Sequence, residues 1–270
     1  TLPFSPMSSL DGSKDAGTVE IHASDPLCHR GAATGPHTSA ELWRACEEGR
    51  SDLVDRLLAL GVHPDAEDGQ RRTPLWIACE NGQIKVVRLL LSRGASVDAP
   101  TEWGATPLWI ASQKGHLEVV HELLDRGARV DAAMRDGVTP LWAASASGAL
   151  DVVRELVRRG ADVEATDESG STPLWTACSN GHLEVARELA DRGAAIDKQA
   201  PPRSGMTPLH VAVQYGHVAL AHELLDRGAN PATTSNRGRS VLLLACDAGD
   251  VRLARRLMDG GASISAAARD

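Results

Sequence analysis

A chain of 270 residues with six Trp, one Phe and one Tyr must fill its interior with Leu, Val, Ile and Ala, which points to packed helices and disfavours an all-β sandwich. Its 28 Lys and Arg against 36 Asp and Glu leave a formal charge of −8, so it has no general attraction to nucleic acid or to an anionic membrane surface. No stretch approaches the roughly 18 apolar residues of a membrane span, so no membrane insertion is expected.

Residues 1–39 come first and do not repeat. Eighteen of them are Gly, Ser, Pro or Thr, and they show no helical or strand period, the composition of a flexible extension. Phe4, the only Phe, lies between Pro3 and Pro6, so Leu2, Phe4 and Met7 form a candidate anchor if this extension docks on a partner. The alternative is a plain linker. No signal-peptide pattern is present, and five Cys without a CxxC pair fit a reducing compartment. The expected location is intracellular, cytoplasmic by default and organellar if Thr1 is a transit-peptide processing point.

From residue 40 the chain repeats. Thr73-Pro74-Leu75-Trp76 returns at Thr106, Thr139 and Thr172, then as Thr207-Pro208-Leu209-His210, with divergent copies at Ala40-Glu41-Leu42-Trp43 and Ser240-Val241-Leu242-Leu243. The Leu column falls at 42, 75, 108, 141, 174, 209 and 242, a spacing of 33 broken once by 35. A Gly column at 61, 94, 127, 160, 193, 228 and 261 keeps the same rhythm. The units are 40–72, 73–105, 106–138, 139–171, 172–206, 207–239 and 240–270.

Each unit reads as two helices. Thr106 is suited to cap a helix whose first residue is Pro107, where a missing N–H costs nothing. Gly115 ends that helix, and Leu117, Val119, Val120, Leu123 and Leu124 form the apolar stripe of a second. A turn such as Asp136-Gly137 leads into the next unit.

The period, the Thr-Pro-Leu-Trp tetrads and segments such as Gly115-His116-Leu117-Glu118-Val119-Val120 resemble the ankyrin repeat. That resemblance implies an all-α fold, an ankyrin-repeat α-solenoid of helix-turn-helix units joined by short hairpin-like loops. Seven units at about 10 Å each would extend it to about 70 Å. It also implies a protein-binding module whose partners sit on the loop tips and the adjoining face of the first helices. The partner-facing candidates are then Arg71, Arg72, Glu102, Trp103, Met134, Arg135 and Arg203 at the tips, and Glu80, Asn81, Gln113, Lys114, Ser147, Asn180 and Tyr215 on the helices. Trp103 is the one Trp outside the repeated column, which suits an exposed anchor. A two-residue insertion around Pro201, Pro202 and Arg203 makes a longer, stiffer tip.

The repeated residues are expected to be structural. Trp43, Trp76, Trp109, Trp142 and Trp175 fill space between units while each indole N–H bonds a loop carbonyl, and His210 keeps the family residue at that place. Cys46, Cys79, Cys178 and Cys246 share a column with Ser112, Ser145 and Val213, a packing role. His121-Glu122 and His222-Glu223 resemble half of a zinc-protease HExxH, but Asp replaces the second His in both. Neither a catalytic constellation nor a metal or cofactor site is written in the sequence. The expected function is a non-enzymatic interaction scaffold, with a lean toward a structural subunit of a larger assembly. A transient regulatory or substrate adaptor, or the substrate-capture part of an enzyme catalysing elsewhere, are the alternatives.

Overall fold

Threonine hydroxyls start the first helix of the central units. In the computed structural model, which describes residues 38–200 and 204–263, the side chains of Thr73, Thr106, Thr139 and Thr172 each accept the backbone N–H three residues on, at 3.2 Å. Thr207 and Ser240 do the same at 3.4 and 3.1 Å. Proline occupies the first helical position of five of these helices.

Fourteen helices follow among the described residues, in consecutive pairs. They are α1 (Ser39–Glu47) with α2 (Ser51–Ala59), α3 (Pro74–Glu80) with α4 (Ile84–Ser92), α5 (Pro107–Lys114) with α6 (Leu117–Asp125), and α7 (Pro140–Ser147) with α8 (Leu150–Arg158). Then come α9 (Pro173–Asn180) with α10 (Leu183–Asp191), α11 (Pro208–Gln214) with α12 (Val218–Asp226), and α13 (Val241–Asp247) with α14 (Val251–Asp259). Helices of 7 to 9 residues are too short to persist alone, so their stability comes from packing. First helices pack on first helices from α1 through α13, and second helices follow in a parallel row from α2 through α12.

One continuous core runs between the two rows. Leu42, Leu75, Leu108, Leu141, Leu174 and Leu209 are wholly buried, with Val87, Val120 and Val153 facing them from the second helices. Cys46, Cys79 and Cys178 are buried as their column predicts. Cys246 is exposed instead, because no following described unit covers α13.

Between pairs the chain forms hairpin-like fingers. Each is closed by a main-chain bond, such as Thr101 N to Ala105 O and Met134 N to Val138 O, both 3.0 Å. Two isolated antiparallel bridges, Ala200 with Met206 and Thr234 with Ser240, mark the later fingers. The tail anchor Leu2, Phe4 and Met7, and Arg203 with its two prolines, lie outside the described residues.

Candidate partner-binding surface

The fingers are tied into a ridge by main-chain bonds that cross from one unit to the next. Glu102 N donates to Gln70 O at 3.2 Å, Arg135 N to Trp103 O at 3.0 Å, Glu168 N to Asp136 O at 2.8 Å and Asn236 N to Ser204 O at 2.9 Å. In most fingers a glycine stands where the backbones meet. Gly104 has φ +89°, and a Cβ there would lie 3.2 Å from the Met134 and Arg135 backbone.

On this ridge Trp103 is 63% exposed, more than any other large apolar side chain among the described residues. Its own carbonyl holds Arg135 in place, so the indole sits on a fixed support. Arg135 is exposed and makes no ion pair among the described residues. In the preceding finger Arg71 forks onto Glu67 with two bonds of 3.1 Å, and Arg72 pairs with Asp68 at 2.7 Å while lying 5.5 Å over the Trp76 ring. Burial pushes the Asp68 acidity upward in pKa, but the Arg72 and Gln70 bonds more than reverse this and hold the group below its usual range. Met134 is half-buried and packs against the core, so it is less available than Trp103 or Arg135.

The candidates divide into the same two groups, tips and helices, that the sequence distinguishes. Arg71, Arg72, Glu102, Trp103, Met134 and Arg135 belong to the fingers. Glu80, Asn81, Gln113, Lys114, Ser147, Asn180 and Tyr215 cluster at the C-terminal ends of the first helices, about 10 Å further along the helix axis. Asn81 and Asn180 turn back to bond the Ile77 and Thr176 carbonyls at 2.9 and 3.0 Å, and Lys114 lies 4.0 Å from Glu80. Tyr215 is 43% exposed. Gln113, Lys114 and Ser147 line one open cavity of about 490 Å³.

The repeated aromatic column behaves as a packing column with unequal polar ends. Trp43 Nε1 donates to Ala66 O at 2.7 Å and Trp175 Nε1 to Met206 O at 3.0 Å, as expected. The indole nitrogens of Trp76, Trp109 and Trp142 are buried without a hydrogen-bond partner among the described residues, so there the ring fills space and the loop bond is lost. His210 completes both ends. Its Nδ1 meets the Thr207 hydroxyl at 2.9 Å and its Nε2 the Arg239 carbonyl at 3.2 Å, while burial lowers its pKa.

Sequence reasoning missed two structural features. Arg71 has φ +60° at the place where the other fingers carry Gly104, Gly137, Gly170, Gly205 and Gly238, and that broken glycine column was visible in the sequence. The second-helix glutamates Glu122, Glu155, Glu188 and Glu223 are hubs, each bonded by arginines and 6–19% exposed. The HExxH-like Glu122 and Glu223 are therefore held in ion pairs, and no cluster of described residues could hold a metal ion.

Ankyrin repeats (3 copies) is the family description whose profile matches, at residues 42–134, 129–200 and 197–268. Among solved structures the chain is similar to the crystal structure of the human ASB11 ankyrin repeat domain, with 28% identity, a TM-score of 0.73, and coverage of 82% of this chain and 98% of that one. The comparison with curated proteins gives no match. No described helix is long and apolar enough to cross a membrane. Ankyrin repeats are generally protein–protein interaction modules and typically non-catalytic, and with matched segments running from residue 42 to 268 this chain belongs to the ankyrin-repeat family.

Proposed function

We propose that this chain is a protein-interaction scaffold without catalytic activity of its own, and that its partner seats on the finger ridge around Trp103. The exposed indole carries the reading. A large aromatic at 63% exposure, on a backbone held by a main-chain bond to Arg135, whose guanidinium makes no ion pair among the described residues, has the composition of a binding hot spot. The backbone there is already ordered, so the entropy lost on binding is mainly that of the side chains. The complementary epitope would present an apolar recess beside a carboxylate.

The finer role is membership of a larger assembly as a fixed subunit. The test is to isolate the native chain under gentle conditions, measure the size of what it travels with, and map contacts from a photo-crosslinker placed at position 103. A stoichiometric, salt-resistant complex crosslinked through the finger supports both parts of the reading. A monomer of 28.5 kDa with substoichiometric companions overturns the subunit role in favour of a transient adaptor. Binding that survives Trp103→Ala and Arg135→Ala unchanged overturns the finger site.

A further inference from the structure

At the helix-to-helix turns, one side chain per junction reaches back to the unit before it. His116 Nε2 bonds the Glu80 carbonyl at 3.0 Å, His182 Nε2 the Ala146 carbonyl at 3.0 Å, and His217 Nε2 the Ser179 carbonyl at 3.1 Å. Because a carbonyl accepts, each ring must carry its proton on Nε2. Gln83 Nε2 makes the corresponding bond to Glu47 O at 3.2 Å. Each imidazole lies flat against a glycine of the preceding unit. A Cβ would come within 2.8 Å of the ring at Gly82 and within 2.6 Å at Gly148 and Gly181.

The junction between α5–α6 and α7–α8 keeps the seat but lacks the ring. Ala149 stands where His116, His182 and His217 stand, and a Cβ on Gly115 would meet only the Ala149 methyl, at 3.5 Å. The carbonyl in the accepting position is that of Gln113. Here lies the open cavity of about 490 Å³, walled by Gln113, Lys114, Gly115, Ser147, Ala149 and Asp151. Its polar rim and its carbonyl acceptor distinguish it from a simple packing fault. At the last junction Asp250 holds the corresponding place, offers no donor, and caps Leu253 N at 3.0 Å instead.

We propose that the Ala149 cavity is a binding site for a histidine side chain presented by a partner polypeptide. The incoming ring takes the place of the missing one, lies against Gly115 and donates its Nε2–H to the Gln113 carbonyl. The three sibling junctions show the glycine seat and the carbonyl acceptor; because their rings are carried on the Cβ that Ala149 also has, the incoming ring enters from the open side of the cavity with its own Cβ directed away from the Ala149 methyl. Lys114 and Asp151 at the rim would choose among flanking residues. This site is separate from the finger ridge, by about a helix length, so it stands or falls independently of Trp103.

The test titrates N-acetyl-histidine methylamide into the full chain labelled with ¹⁵N and follows the backbone amides. Shifts centred on Gly115, Gly148, Ala149 and Asp151 are expected, and none of comparable size with N-acetyl-alanine methylamide. Methylation of the probe at Nε2 should abolish them, and methylation at Nδ1 should not. In Ala149→His the chain's own ring takes the seat, so the thermal midpoint rises and the probe binds more weakly by over about tenfold. Ala149→Leu fills the same space without an N–H and should block the probe without gaining the hydrogen bond. Absence of shifts, equal binding of the Nε2-methylated probe, or unchanged binding to both Ala149 variants would overturn the proposal. Equal affinity for free imidazole would overturn the assignment to a polypeptide and give the site to a small ring ligand.

Discussion

The Glu155 carboxylate of α8 meets the Arg158 guanidinium at 2.6 Å with only 6% of its own side chain exposed, and Arg159 reaches the same oxygen at 2.8 Å. The Arg158 bond above all, opposed by burial and assisted by Arg159 and the adjacent His121, holds the Glu155 pKa at about 2 against an ordinary 4.5. The unfolded chain therefore binds more protons at this group between those two values. Its stabilising contribution is complete above about pH 5 and is lost as pH falls toward 2.

Glu155→Gln is expected to lower unfolding free energy at neutral pH by about 2 kcal/mol, the range for hydrogen bonds to charged groups. The gap between wild type and variant should close on acidification toward pH 2. Urea denaturation at a series of pH values measures it, and a gap that stays constant with pH would show that the ion cluster contributes nothing specific to folding.

Arg71 occupies left-handed backbone at φ +60°, where a side chain costs about 1–2 kcal/mol that glycine avoids. Its exposed pair with Glu67 returns at most about 1 kcal/mol. Arg71→Gly should therefore raise stability by about 0.5–1 kcal/mol, and the β-branched Arg71→Val should lower it. Chemical denaturation of the two variants in parallel decides the matter through the sign of their difference.

Trp175 and Trp142 share a column but not a hydrogen bond. Trp175→Phe removes the 3.0 Å bond to the Met206 carbonyl, which then keeps only the Ala200 N–H at 3.1 Å, whereas Trp142→Phe removes a donor that has no partner among the described residues. With similar loss of ring volume, Trp175→Phe is expected to cost about 1 kcal/mol more. Equal losses in thermal and urea unfolding would mean that the indole bond is energetically silent.

Alkylation should separate the thiols by their position in the stack. Burial pushes the Cys46 pKa up to about 12 and raises Cys79 and Cys178 as well, so little thiolate forms in the folded protein. Cys246 is exposed. Peptide mapping after brief iodoacetamide treatment at pH 8 should find Cys246 modified well before Cys46, Cys79 or Cys178. Comparable labelling of all four would indicate that the units open freely.

Much of this architecture was legible because it is local and repeated. The Thr-Pro pairs name the helix starts, Gly115 and its equivalents name the ends, and the Leu column lies at the centre of the core. Paired helices and hairpin-like connections follow from those signals alone. What escaped depends on geometry between units. The identity of Trp76, Trp109 and Trp142 cannot tell whether a carbonyl lies within reach of the indole, and the sequence distinguishes finger from helix residues without giving the axial distance between them. The HExxH-like glutamates likewise read as surface residues, because the arginines that bind them come partly from neighbouring units. The exception at Ala149 was present in the sequence, but only the three histidine bonds around it show what its small side chain leaves open.

Four of the bonds that join the fingers run from main chain to main chain, as between Trp103 O and Arg135 N. Any residue that tolerates the local backbone can therefore replace a tip side chain without altering the pitch of the array. Recognition at one finger can drift, or be redesigned, while the neighbouring fingers keep their positions. In this protein the spacing of the contacts is inherited from the peptide backbone, and their chemistry is left open to change one residue at a time.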